Sequence, residues 1–490
     1  MTLDNTGTTL VVVYLTSLLL VGWLAKQASG ESSLKDYYLA GGSLGAMSLF
    51  FTLYATQYSG NSFFALPGKA YRDGIMAGAF IVGVMSIVLV YQLYAPRLLR
   101  IAQRENFISV GDFILWRYRS TPLLFAVNAV FVVVLVTFIL GNLKAIGLLL
   151  STASGGTLGF APAIVLVCVI MAIYETLGGM RGVIWTDMIQ GLLLMAGSLV
   201  VFLLLLTSTD NGIMNEPARL VQVTGEFFSQ PIPTIQFISL VLLIALGAAV
   251  YPQAIQRIYA ARNITVLRRS YFFMFFMPLL TTLPLFLIGF SGADWFPDLT
   301  RSETEQVVIF AIGDLLGAGS DSGSGLSLSW LLALYIGAAV AAIMSTIDSG
   351  LLTMGSILNK DFIARRHPQL PQDQLHRIGR RLTWVLMAVM AIMAIVLPNT
   401  IWSLLVLKLE LVIQVFPAVV IGLRFSKLQS SSVLAGLIVG CAIAIALRLW
   451  PEMSPAPAVH SGLWALLGNL ATLGLVQLIK SRHKKYEVSQ

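Results

Sequence analysis

Leu49–Gly68 reads LFFTLYATQYSGNSFFALPG, and its centre decides the fold. Its apolar flanks are long enough to enter a bilayer, yet Gln57, Ser59, Gly60, Asn61 and Ser62 fall midway. Such a run is a poor continuous helix, because Gly loses backbone entropy and Ser and Asn compete for backbone hydrogen bonds. Leu240–Ala261, LVLLIALGAAVYPQAIQRIYAA, repeats the pattern with Gly247 and Pro252 near its middle. Proline removes a backbone donor and frees a carbonyl. One broken span is ordinary, since Gly and Pro often mark only packing or kinks in membrane helices. Two in matched positions carry more meaning.

Thirteen apolar stretches of membrane length follow from the chain: 9–26, 44–66, 74–96, 121–150, 160–178, 182–207, 234–258, 270–291, 328–356, 378–397, 400–423, 430–448 and 461–480. The broken spans are the second and seventh, the first members of two consecutive sets of five. The predicted fold is an all-α polytopic membrane protein with a 5+5 inverted repeat and a midplane binding site. The expected division is 1–43 (an extra N-terminal helix and loop), 44–207 and 234–423 (the two repeats), 430–480 (two further helices) and 481–490 (a tail).

Composition agrees: 57% of the 490 residues are hydrophobic and 11% charged. The net charge of +8 does not imply nucleic acid, because the basic residues occupy alternate loops rather than one face. Of the 31 Lys and Arg residues, 24 fall on one side, five on the other, and Lys144 and Lys408 within spans. The positive-inside rule then places the N-terminus outside and the C-terminus in the cytoplasm, in the plasma (inner) membrane. An even number of spans would spoil this alternation. The first span lacks the basic flank of a cleaved signal peptide. Cys168 and Cys441 lie within spans and read as inert buried thiols.

No soluble domain is expected. Gly317–Ser329 reads as a flexible linker, residues 303–316 as a short surface helix, and Arg365–Arg381 as an orientation signal against anionic headgroups. The sequon Asn263-Ile264-Thr265 falls on the predicted cytoplasmic side, where it is unused.

Ala341–Ser349, AAIMSTIDS, places Ser345, Thr346, Asp348 and Ser349 within little more than one turn of an apolar helix. An acid at that depth is read as functional. Spacings of three and four gather these oxygens on one face, and hard oxygens suit a small hard cation.

Three stretches, Tyr58–Gly68 (YSGNSFFALPG), Gly178–Gln190 (GGMRGVIWTDMIQ) and Ala341–Leu352 (AAIMSTIDSGLL), resemble the sodium:solute symporter family over roughly residues 9–480. The resemblance implies the leucine-transporter-like fold and Na+ as coupling ion. Its sodium site carries over to the carbonyls of Ala55, Tyr58 and Ala342 and the hydroxyls of Ser345 and Thr346. A broken helix exposes carbonyls that cannot face lipid, so the residues alone point the same way. A second ion site, where the family has one, falls on Asp187, Ser345, Asp348 and Ser349. A single ion is the default, and Asp187 alone also fits as a helix N-terminal charge.

Substrate candidates by position are Gln57, Ser59, Asn61, Tyr251, Lys408 and Gln414. Lys408 and Glu410 stand two apart on a helix and so face different ways. Lys408 fits either a substrate carboxylate or a structural partner, and Lys144 is treated likewise. The family often reads GGRSLG ahead of the first core helix; Gly41-Gly42-Ser43-Leu44-Gly45 lacks that arginine, and Arg181 and Arg257 are the substitutes at hand.

The expected function is secondary active transport: sodium-coupled symport into the cell of a small organic solute, an amino acid or carboxylate before a sugar. The partners are that solute, sodium and the bilayer, with no nucleic acid and no obligatory protein. The rival is a symporter-like sensor working with a partner signalling protein; the short tail Ser481–Gln490 argues against a built-in output domain but not against such a partner. A channel would need continuous polar stripes. An enzyme is excluded by the four histidines, all in loops or the tail, and by the lack of a nucleophile–base set.

Overall fold

The computed structural model describes Leu3, residues 5–28, 33–207, 233–301, 303–320, 329–397 and 401–488. Helix α1 (Asn5–Ala28) leads through α2 (Leu34–Leu39) to α3 (Ala46–Gln57). There the chain leaves helical geometry at Tyr58 (φ −98°, ψ 135°) and resumes as a wide turn, Asn61–Ala65, and α4 (Leu66–Asp73). Then come α5 (Gly78–Glu105), α6 (Val110–Tyr118), α7 (Thr121–Ala153) and α8 (Phe160–Thr207). Ser109 and Asp112 cap α6 reciprocally, satisfying its free amide groups.

The second half opens with α9 (Thr234–Ala248) and α10 (Pro252–Ala260), bent by 50° about the intervening residues. Pro252 sits in the first turn of α10, where its missing N–H costs nothing. The chain continues as α11 (Ile264–Trp295), α12 (Val307–Ser320), α13 (Ser329–Ser356), α14 (Gln372–Val396) and α15 (Ile401–Val412), the last running on in tighter and wider turns to Arg424. Two helices close it, α16 (Ser430–Leu449) and α17 (Ser461–Val488). Helix α13 and its extension form the centre: 94% of its most apolar window is buried, against 28% for α1 and α17.

Both breaks appear where the sequence placed them. The count of thirteen is not reproduced. Among the described residues ten helices are long and apolar enough to cross a membrane, eleven if the bent pair α9–α10 is one span. The expected spans 160–178 and 182–207 are two arms of α8, joined at Gly179. Its φ of +52° and ψ of −145° suit only glycine, and the Tyr37 ring fills the space where a Cβ would stand. Likewise the second arm of the first broken span runs on through α4 into α5.

Residues 303–316 are helical but not a surface helix, because Val307, Val308, Ile309, Ala311 and Ile312 are buried. Most of the expected linker, residues 321–328, and of the loop 208–233 lies outside the described residues. The expected tail continues α17 as helix to Val488. The sequon's Asn263 caps α11 by accepting from the Val266 amide.

One parallel bridge ties the halves together. The amide of Leu44, just before α3, donates to Ala260 O (3.0 Å), and its carbonyl accepts from Arg262 N (3.1 Å), just after α10. The Gln103 amide adds bonds to Ala261 O (3.1 Å) and Arg262 O (3.0 Å).

Candidate ion and solute site

The first break is held open by its neighbours. Gly60 lies so close to α7 that a Cβ would stand 2.5 Å from the Ala145 Cβ, and its amide donates to Asn142 Oδ1 at 3.0 Å. The break frees the last carbonyls of α3, Ala55 and Tyr58 at its edge among them. Directly opposite, on α13, the Thr346 hydroxyl lies 3.0 Å from Tyr58 O and 2.8 Å from Ala342 O. Three of the five expected sodium-site oxygens therefore converge across two helices. Neutral carbonyls and hydroxyls of this kind suit a weakly held alkali ion. Ser345 adjoins them but turns its hydroxyl to Asp187 Oδ1 at 2.5 Å.

At the second break other side chains cover the freed carbonyls. Tyr94 and Tyr91, from α5, donate to Ala249 O and to Ala248 O (3.5 Å).

The residues expected to form a second ion site divide into two groups. Asp187, fully buried in α8, accepts from Thr52, from Ser345 and from the Arg257 guanidinium, with Nη2 to Oδ2 at 3.5 Å. Ser349 accepts from Arg257 and meets the Thr56 hydroxyl at 2.8 Å. Asp348 points elsewhere and accepts from Tyr174 on α8. Arg257, one of the two stand-ins considered for the missing arginine, is completely buried in α10. Arg181, the other stand-in considered for the missing arginine, pairs with Asp36 at 2.7 Å.

Between the two breaks lies a cavity of about 50 Å³ lined by Gln57, Ser59, Asn61, Phe138, Tyr251 and Lys408 among others. Five of the six sequence-derived substrate candidates thus line one cavity. The sixth, Gln414, does not reach it: its amide donates to Glu410 O and Gly462 O (both 3.1 Å), and Asn469 donates to its oxygen. Lys408 and Glu410 do diverge as expected, Glu410 accepting from Ser461 of α17.

The Lys408 ammonium is buried, 4.1 Å from the Phe138 ring centre and 5.4 Å from that of Tyr251. No carboxylate pairs with it among the described residues. Aromatic faces stabilise a cation only in part. Two acceptors on the same cavity, Asn61 Oδ1 and Gln253 Oε1, also lack a partner. Lys144, by contrast, donates to Leu397 O and serves structure.

Sequence reasoning missed Phe138, Gln253, Thr52 and Thr56. Phe138 is one aromatic residue among many in an apolar helix, and nothing local singles it out. Arg257 carried a usable signal: it follows Pro252 by five residues, too close to the break to lie free in a loop.

The geometry matches what comparison finds. Residues 37–440 match the model of the sodium:solute symporter family. A sodium/pantothenate symporter of Escherichia coli is 25% identical over 88% of this chain and 87% of its own. A high-affinity proline transporter of Bacillus subtilis is 26% identical over 94% and 96%. The fold is similar to that of a Na+-coupled sialic acid symporter solved substrate-bound and outward-open, with a TM-score of 0.76, 20% identity, and coverage of 97% of this chain and 98% of that one. On the family match across most of its length, and with the broken helices in place, this chain is a member of the sodium:solute symporter family, a transporter and not an enzyme.

Proposed function

We propose that this protein imports a small carboxylate-bearing solute, an amino acid or organic acid, together with sodium. The observation that carries the reading is Lys408: a buried, acid-free ammonium on a cavity whose other wall is the broken helix. Burying a charge without a counter-ion is costly, and an incoming carboxylate relieves that cost. The solutes named for the relatives, pantothenate, proline and sialic acid, all bear a carboxylate.

Sodium fills the gap among Ala55, Tyr58, Ala342, Ser345 and Thr346. It thereby orders the break that also presents Ser59 and Asn61 to the cavity. The two bindings are linked, so solute must tighten sodium as much as sodium tightens solute. At about 50 Å³ the cavity is far smaller than the ~300 Å³ at which ligand pockets begin, so its walls part to load and unload. Closure and rocking of the bundle that carries the two broken helices then expose the site to the cytoplasm. With the basic loops in the cytoplasm and the N-terminus outside, the membrane potential adds about 2.3 kcal/mol per charge per 100 mV to inward movement.

A thermal-shift screen of amino acids, carboxylates and sugars, in sodium and in matched potassium, tests the reading. A carboxylate that stabilises only in sodium supports it. Stabilisation by uncharged sugars alone, or equally in both salts, counts against it.

A further inference from the structure

The oxygens that would make a second ion site beside the first are Asp187, Ser345 and Ser349. They are already organised around a cation. The Arg257 guanidinium donates through Nη2 to Ser349 Oγ and lies 3.5 Å from Asp187 Oδ2. Through Nε it reaches Thr52 Oγ1 at 3.1 Å and Thr52 O at 3.3 Å, and through Nη1 it reaches Gln253 O at 3.3 Å. Arg257, Asp187, Thr52, Ser345 and Ser349 are all fully buried. A buried guanidinium cannot lose its proton under physiological conditions. The pair Asp187–Arg257 is therefore neutral as a unit, hydrogen-bonded by the hydroxyls of Thr52, Ser345 and Ser349.

We propose that Arg257 stands permanently where a second coupling ion would bind, so that the protein takes up one sodium ion per chain. This rests on the sodium-coupled reading above and goes beyond it by fixing the ion count. It also assigns a role to an arginine carried by the second broken helix: the charge that one ion would bring to the Asp187 pocket is built into α10. The pocket's state then follows the tilt of α10 rather than the sodium concentration.

Equilibrium binding of radiolabelled sodium to the purified full-length protein counts the ions directly. One sodium per chain is expected, bound roughly 10–100-fold more weakly in Thr346→Ala. Arg257→Gln leaves a buried carboxylate among three hydroxyls and is expected to bind two. Removing one partner of a buried ion pair is strongly destabilising, so Arg257→Gln is studied beside the neutral pair Asp187→Asn/Arg257→Gln. That double variant is expected to fold and to return to one. Two ions on the wild type overturn the proposal, the more so if Asp348→Asn removes one of them. A folded Arg257→Gln protein that still binds one also overturns it. If the wild type binds none, the sodium reading itself fails, which is a distinguishable result.

Discussion

The Thr346 hydroxyl sits 3.0 Å from the Tyr58 carbonyl oxygen, although the two residues are 288 positions apart in the chain. That contact links the first break to the central helix at the point where sodium is proposed to bind. Thr346→Ala removes one ligand oxygen, a loss of about 1–3 kcal/mol, or roughly 10–100-fold in sodium affinity. Thr346→Ser is expected to retain most of it. The sodium concentration for half-maximal thermal stabilisation gives the answer, and an unchanged value in Thr346→Ala would remove Thr346 from the site.

Gly60 is needed for closeness, not for an unusual backbone angle, since its φ is −51°. Gly60→Ala drives a methyl group against Ala145 and is expected to cost about 1–3 kcal/mol by overpacking. Ala145→Gly in the same protein is expected to recover much of the loss. Failure of that rescue in a denaturation series would show that Gly60 matters for another reason.

Lys408 separates binding from stability. Lys408→Met removes a buried charge that has no acid partner, so the solute-free protein should melt at the same temperature or higher. Its response to the stabilising carboxylate should fall roughly 10–100-fold, the worth of a charge-assisted hydrogen bond. A variant that loses stability yet keeps its solute response would mark Lys408 as structural.

His460 precedes α17, its amide donating to Ser239 Oγ at 2.7 Å. Burial, with Lys69 nearby, pushes its imidazole down to about 4 from the ordinary 6.5. A depressed histidine is neutral when folded and charged when unfolded, so its contribution is complete above pH 6.5 and drains away as pH falls towards 4. The melting temperature should drop across that window, and His460→Gln should flatten the slope. An equal slope in both proteins would assign the acid sensitivity to other groups.

The two breaks were legible because polar, glycine and proline residues interrupt apolar spans, a local signal. The hydroxyl cluster on α13 was legible for the same reason. What sequence order hides is which face of one helix meets another. Gln414 stands in the same helical run as Lys408 yet turns its side chain to Asn469 and Gly462, while Asp348 turns from Asp187 towards Tyr174. Hydropathy sees only the charge of Arg257, not the carboxylate that accepts from it 70 residues earlier. Counted by length and composition, two expected spans merge where helices meet at a bend, as the arms of α8 do at the non-helical Gly179.

The bridge between Leu44 and the strand-like exit of α10 makes the two broken helices a coupled linkage at the basic end of the molecule. One lever cannot swing without dragging the other. Opening on that side has to break both backbone hydrogen bonds and the Gln103 brace, so the two broken helices are expected to move together there. Such a clasp is expected to oppose slippage, the uncoupled escape of ion or solute on that side.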